Sequence, residues 1–252
     1  MAWPYTYFAT FIDSSTPYVD AAFLNALQTA TNDLYTGAVS ATLRYEDWAY
    51  FIGTVLGTRW KSLISGAASS VEVTAPTADF PWSNVYLHSD PGAGGYVALH
   101  SGNQVVRAHA TLHNLLIDGW YGINTTGSGY KFWWGWMGSL AVPPVGTSHR
   151  YALFQIDSTG TFWQCVSADA TAEQSTTTAI AFPTALTQRA RLRIQIVGTS
   201  AVKFYIDGVL VATHSTRVPT GTGLYVYMAN DPTTTSTYEP AIGPLLVGRT
   251  PA

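Results

Sequence analysis

From about Val71 onward, apolar and polar residues alternate with a period of two, in short runs separated by Gly, Pro, Thr and Asp/Asn turns. That period belongs to a pleated strand with one buried face. In residues 191–196, Leu192, Ile194 and Ile196 fall on one side, and Arg191, Arg193 and Gln195 on the other. Residues 202–206 and 209–213 are joined by Asp207-Gly208, a pair that tolerates the positive φ angles of a tight hairpin. Residues 151–156 and 161–167 flank the turn composition Asp157-Ser158-Thr159-Gly160. Residues 107–118 alternate, with Ala108, Ala110, Leu112 and Leu116 set against His109, His113, Leu115 and Ile117. Residues 223–228 put Leu224, Val226 and Met228 inward and Tyr225 and Tyr227 outward, and residues 242–247 supply a closing strand. Many short strands at regular spacing predict an all-β fold, an antiparallel β-sandwich over residues 71–252.

Residues 130–137 break the rule of one apolar face. Tyr130, Phe132, Trp134 and Trp136 share one side, while Trp133 and Met137 lie on the other with Lys131 and Gly135. Such a strand must be covered twice: once by the sandwich core, and once by the amino-terminal segment, a neighbouring subunit or a ligand. Sugar rings stack on aromatic faces, so Trp120, Tyr121 and Trp133 are the candidate glycan-binding residues. Core or intersubunit packing is the competing explanation.

The amino-terminal part follows a different period. Phe23, Leu27, Ala30 and Leu34 recur at helical spacing after Asp20, a good N-cap, and before Gly37. One short α-helix over residues 20–35 is predicted, preceded by an aromatic arm containing Trp3, Tyr5, Tyr7, Phe8 and Phe11. The expected organisation is an arm, helix and attachment segment over residues 1–70, ending in the small, flexible residues 66–70. Trp3, Tyr5, Tyr7, Phe8, Phe11, Phe23, Leu27 and Leu34 are the candidate assembly interface.

Charge narrows the functions. Only 11% of the 252 residues are charged, against roughly 25% in an average soluble protein, while 13% are aromatic. Twelve Lys+Arg against fifteen Asp+Glu give −3. Nucleic acid is not expected as a partner, because Arg189, Arg191 and Arg193 form too small a basic cluster. No apolar run approaches the ~18 residues that would predict membrane insertion. Residues 1–15 lack the pattern of a secretory signal. The one cysteine, Cys165, excludes an internal disulfide framework and a multi-cysteine zinc site. Few charges and many rings imply a surface partly covered by other chains.

The stretch from Arg191 to Gly221, RLRIQIVGTSAVKFYIDGVLVATHSTRVPTG, resembles the strand-and-hairpin segment of concanavalin A-like (laminin-G-like) jelly-roll domains. VVRAHATLHNL (105–115) and ALFQIDSTGTFWQCVS (152–167) are similar to earlier strands of that family, in the same order. The likeness covers about residues 97–247 and is of the kind found in tail, fibre and capsid-associated proteins of tailed bacteriophages. It implies the jelly roll. It does not select among lectins, hydrolases, lyases and passive structural modules.

Glycosidases of this fold carry an E-x-D-x-x-E strand whose carboxylates share one groove. Here Glu46 and Asp47 are adjacent, Asp169 and Glu173 fall in a Thr/Ser-rich loop, and Asp118, Asp157 and Asp207 sit at turns. The lyases of the fold need a Q-I-H segment, which Gln195-Ile196-Val197 lacks. His109 and His113 would span ~13 Å on a strand, too far to share a metal. Asn230-Asp231 is the only fragment resembling a calcium loop of the family's lectins. No catalytic residue, metal ligand or cofactor is assigned. Cys165 is expected to be a buried spectator on the same face as Trp163, and the Thr-rich runs 176–178 and 233–237 to be exposed loops.

The expected function is that of a non-enzymatic virion structural protein, a jelly roll anchored by residues 1–35. Its expected partners are other virion proteins and further copies of itself, a homo-oligomer for which a trimer is one arrangement. The alternative is an adhesin recognising host surface carbohydrate, and a polysaccharide hydrolase or lyase ranks below both.

Overall fold

The computed structural model describes residues 44–49, 60–74, 84–90, 95–102, 106–107, 113–125, 130–140, 148–157, 159–186, 188–220, 223–232 and 238–251. The predicted helix, the arm and all eight candidate assembly residues lie outside that range. So do His109 and the Thr run at 233–237. The chain divides into two compact units, residues 1–44 and 45–252. All the described residues belong to the second unit except Arg44, where strand β1 begins.

Sixteen strands are present among the described residues. The first eight are β1 (Arg44–Ala49), β2 (Trp60–Ile64), β3 (Ser70–Thr74), β4 (Asn84–His88), β5 (Val97–Ser101), β6 (Val106–Arg107), β7 (His113–Thr125) and β8 (Tyr130–Met137). The rest are β9 (Arg150–Asp157), β10 (Phe162–Asp169), β11 (Glu173–Ala181), β12 (Arg189–Val197), β13 (Ala201–Ile206), β14 (Val209–His214), β15 (Gly223–Pro232) and β16 (Glu239–Pro251). They form two eight-stranded sheets. Sheet A runs β14-β13-β12-β7-β16-β4-β3, with β1 also pairing β16. Sheet B runs β11-β10-β9-β8-β15-β5-β2, with β6 also pairing β15. Neighbours along both paths are antiparallel. The fold is an antiparallel β-sandwich. Two strands upstream of residue 70, β1 and β2, pair in it.

The alternation in the sequence decides which side chains enter the core. Leu192, Ile194 and Ile196 of β12 and Val202, Phe204 and Ile206 of β13 are buried between the sheets. The hairpin joining β13 to β14 turns through Asp207 and Gly208 at φ of 50° and 82°, as its composition requires. Aromatic rings fill the centre. Trp163 meets Tyr121 edge-on at 5.0 Å between centroids, and Phe154 packs edge-on against both Trp163 and Phe204. Tyr130 and Tyr238 stack in parallel at 3.4 Å, and burial pushes the Tyr130 phenol up to about 12. Cys165 is fully buried beside Trp163 in this core.

Two elements extend beyond their sequence signals. Strand β7 continues past Asp118 to Thr125, because Gly119 and Gly122 interrupt the apolar run without breaking the pairing with β12 and β16. The run at Thr176–Thr178 is part of strand β11 and not a loop. Thr is β-branched and fits a pleated surface. Thr176 is drawn inward, where it hydrogen-bonds His214.

Candidate ligand-binding faces

Strand β8 is buried on both faces. Tyr130, Phe132, Trp134 and Trp136 belong to the central core, whereas Trp133 and Met137 join a second apolar cluster on the far side of sheet B. That cluster also contains Tyr151 and Leu153 of β9, Val166 and Ala168 of β10, and Tyr227 and Ala229 of β15. Tyr227 therefore points away from the core, as its place in the alternation predicts, yet it is fully buried, and burial raises its phenol pKa. The Tyr151 phenol is raised by burial and by its hydrogen bond to Glu173 at the cluster's margin.

The three candidate glycan-binding aromatics do not share a groove. Trp133 retains 1% of its exposure, and its indole N–H donates to Gln155 Oε1 at 3.2 Å. Tyr121 is equally buried, on the core side of sheet A, where its hydroxyl meets that of Tyr238. Trp120, one residue away, points out of the same sheet and is partly exposed. Alternation along β7 and the two sheets of the sandwich place the three rings in three different layers.

The outer face of sheet A, which carries Trp120, is polar. At its centre Asp118 is 3% exposed and bonded to two arginines of β12. Arg191 forks onto it, Nε donating to Oδ1 at 2.8 Å and Nη2 to Oδ2 at 2.9 Å, while Arg193 Nε donates to Oδ2 at 2.7 Å. These hydrogen bonds raise the Arg191 pKa against the opposing effect of burial. Register sets Trp120 opposite Arg191, and Tyr205 of β13 opposite Arg193. The Arg193 guanidinium lies 5.9 Å from the centre of the Tyr205 ring. Lys203 faces Gln195 one step further along. The sequence had marked this row only as too small for nucleic acid. Its partner Asp118 was missed because a turn was expected there.

On the same face of sheet A, towards β3 and β4, the His88 ring lies between two glutamates. Its Nδ1 is 2.8 Å from Glu239 Oε1 and its Nε2 is 3.0 Å from Glu72 Oε2. Asn124 Nδ2 donates to the other oxygen of Glu239 at 2.8 Å. One imidazole between them keeps these carboxylates within the ~10 Å that glycosidic hydrolysis requires. The same imidazole fills the gap that a water and a glycosidic oxygen would need.

Other acids bind the protein itself. For Asp157, burial raises the pKa, but hydrogen bonds from Thr159 and the nearby Lys131 leave it below the ordinary value. The Asp169 carboxylate is held far below the usual range, first by the Thr171 hydroxyl and also by backbone amides and Arg217. The Asn230 amide is buried and donates to Leu87 O, Ser89 Oγ and Tyr238 O, so it serves as a cross-link within the fold. Burial raises the carboxyl of Asp231, opposed by Lys131. Among the described residues no three His, Cys, Asp or Glu side chains are placed to hold a metal, and no helix is long and apolar enough to cross a membrane.

No family model matches the chain, and no curated protein matches its sequence. Solved structures do share its fold. A protein of unknown function from Shewanella oneidensis MR-1 superposes with a TM-score of 0.55 at 8% identity, covering 95% of this chain and 97% of that one. The Emp47p carbohydrate recognition domain gives 0.55 at 9% identity, over 82% of this chain and 97% of that one. The Bacillus licheniformis β-glucanase gives 0.54 at 12% identity, over 82% and 98%. The sandwich thus has the concanavalin A-like jelly-roll fold that these structures share.

Proposed function

We propose that the protein is a non-catalytic jelly-roll module that works by surface contact, as a structural component of a bacteriophage particle anchored through residues 1–35. The observation that carries the non-catalytic part is the use made of its carboxylates. Asp118, Asp157, Asp169 and Glu239 are each committed to cations, hydroxyls or amides of the fold. Glu72 and Glu239, which lie near each other among the described residues, are separated by an imidazole. The particle assignment draws on the resemblance of residues 191–221 to phage tail and capsid-associated jelly rolls. Mass spectrometry of purified phage particles from a producing host tests it: the chain should be present in fixed stoichiometry. Its absence from particles, or turnover of any cell-wall polysaccharide, overturns the proposal. Removal of residues 1–36 should leave a folded sandwich that no longer enters particles.

Glycan recognition is the second reading. It is favoured by the partly exposed Trp120, set beside arginines on an open sheet face, and by the likeness to a carbohydrate recognition domain. A glycan array on the intact chain tests it, and an empty array removes it.

A further inference from the structure

We propose that the outer face of sheet A around Arg191, Arg193, Lys203 and Tyr205 binds an acidic polysaccharide, with the paired guanidiniums receiving a sugar carboxylate. This deepens the glycan-recognition reading and rests on it.

The pairing is already built. Side chains at positions 191 and 193 point the same way and stand ~7 Å apart along the strand. One buried carboxylate, Asp118, fixes both by taking the Nε and one Nη of each guanidinium. The two arginine side chains remain 47% and 38% exposed, so their remaining N–H groups face solvent. A carboxylate arriving there meets donors whose positions are set in advance. Planar guanidiniums suit a planar carboxylate better than a single ammonium does.

Charge complementarity selects the ligand. The chain carries −3 overall, yet the β12–β13 end of this face has Arg189, Arg191, Arg193 and Lys203 against Asp118 and Asp207, with Glu72 and Glu239 on β3 and β16 beyond it. Asp207 is at the hairpin tip, where one oxygen accepts the Arg191 backbone N–H. The surplus of two positive charges suits a polymer bearing one carboxylate on a sugar or two. It is too small to track a continuous phosphate backbone, whose binding grows with each phosphate neutralised. Around the cations stand the Gln195 amide, the Tyr205 phenol and the Trp120 indole, which match the hydroxyls and apolar ring faces of sugars.

The test uses the full chain with alginate, a polyuronate, against uncharged dextran and a single-stranded oligonucleotide, by affinity electrophoresis at low and moderate salt. Alginate should retard the protein, less so as salt rises, while dextran does not. Lys203→Glu should weaken retardation at least tenfold without moving the unfolding midpoint. Arg193→Lys keeps the charge but loses the fork, and should weaken it several-fold. A variant combining Arg191→Gln, Arg193→Gln and Asp118→Asn removes both guanidiniums and their charge without stranding the acid, and should abolish it. Alginate binding that is absent, or unchanged in Lys203→Glu and the triple variant, overturns the proposal. Equal or tighter retention of the oligonucleotide does so as well. Binding of dextran alone would leave the glycan reading standing and remove this site.

Discussion

The imidazole of His214 on β14 crosses from sheet A to sheet B and meets the Ser167 hydroxyl of β10, Nδ1 to Oγ, at 2.8 Å. Its other nitrogen lies 3.0 Å from Thr176 Oγ1 on β11, and no part of the residue reaches solvent. A neutral ring satisfies both hydroxyls by donating to one and accepting from the other. A charged ring would have to be desolvated.

Acid should therefore weaken the fold from the histidine range downward. Burial lowers the His214 pKa from 6.5 to about 4, so between these values the unfolded chain holds a proton that the folded chain does not. Stability is complete above pH 6.5 and falls as pH drops towards 4, by about 3 kcal/mol over the whole window. Urea midpoints measured from pH 7.5 to 4.5 should show the slope, and His214→Gln should flatten it. The depressed Asp169 acts lower: its contribution holds above the unfolded value near 3.9 and is lost below it.

The two tryptophans proposed from sequence for one groove should separate in stability. Trp133→Ala empties a buried site and should cost about 3–5 kcal/mol. Trp120→Ala, on a partly exposed face, should cost much less. Denaturant titration of both variants decides this, and a large loss in Trp120→Ala alone would contradict the assignment of faces.

Asp118 and its arginines should be strongly non-additive. Arg191→Ala or Arg193→Ala leaves the carboxylate one guanidinium. The double variant strands a charge that is 3% exposed and should cost about 3–5 kcal/mol. A double-mutant cycle in urea would measure the coupling.

The Cys165 thiol should be inert in the native protein. It is fully buried among core rings, and burial pushes its pKa up. A chromogenic disulfide reagent should label it only after denaturation, at the rate of global opening.

How much of this was legible depends on the residue. Strands β12 to β14 could be read because Leu192, Ile194 and Ile196 alternate with charged partners and Asp207-Gly208 admits one kind of turn. Strand β8 announced its two buried faces through adjacent tryptophans. Periodicity names opposite faces but not what lies over each, so Trp133 looked available to a ligand and Tyr227 could be placed only as outward. The strand at Thr176 was hidden by hydroxyls that resemble loop composition, although β-branching suits them to a sheet edge. The Asp118 clamp was illegible because its partners lie more than seventy residues away, and no local pattern encodes that pairing.

The two buried faces of β8 leave a problem of alignment. Slipping an ordinary strand by one residue drives several polar groups into the interior, but here it would carry only Lys131 there and exchange Trp134 for Trp133. Gly135 supplies the missing lock. It holds φ of 149°, and any side chain there would strike the Ala152 carbonyl oxygen at 2.3 Å. Within β8 only one offset brings a glycine to that spot, so a residue with no side chain dictates the seating of the most aromatic of the described strands.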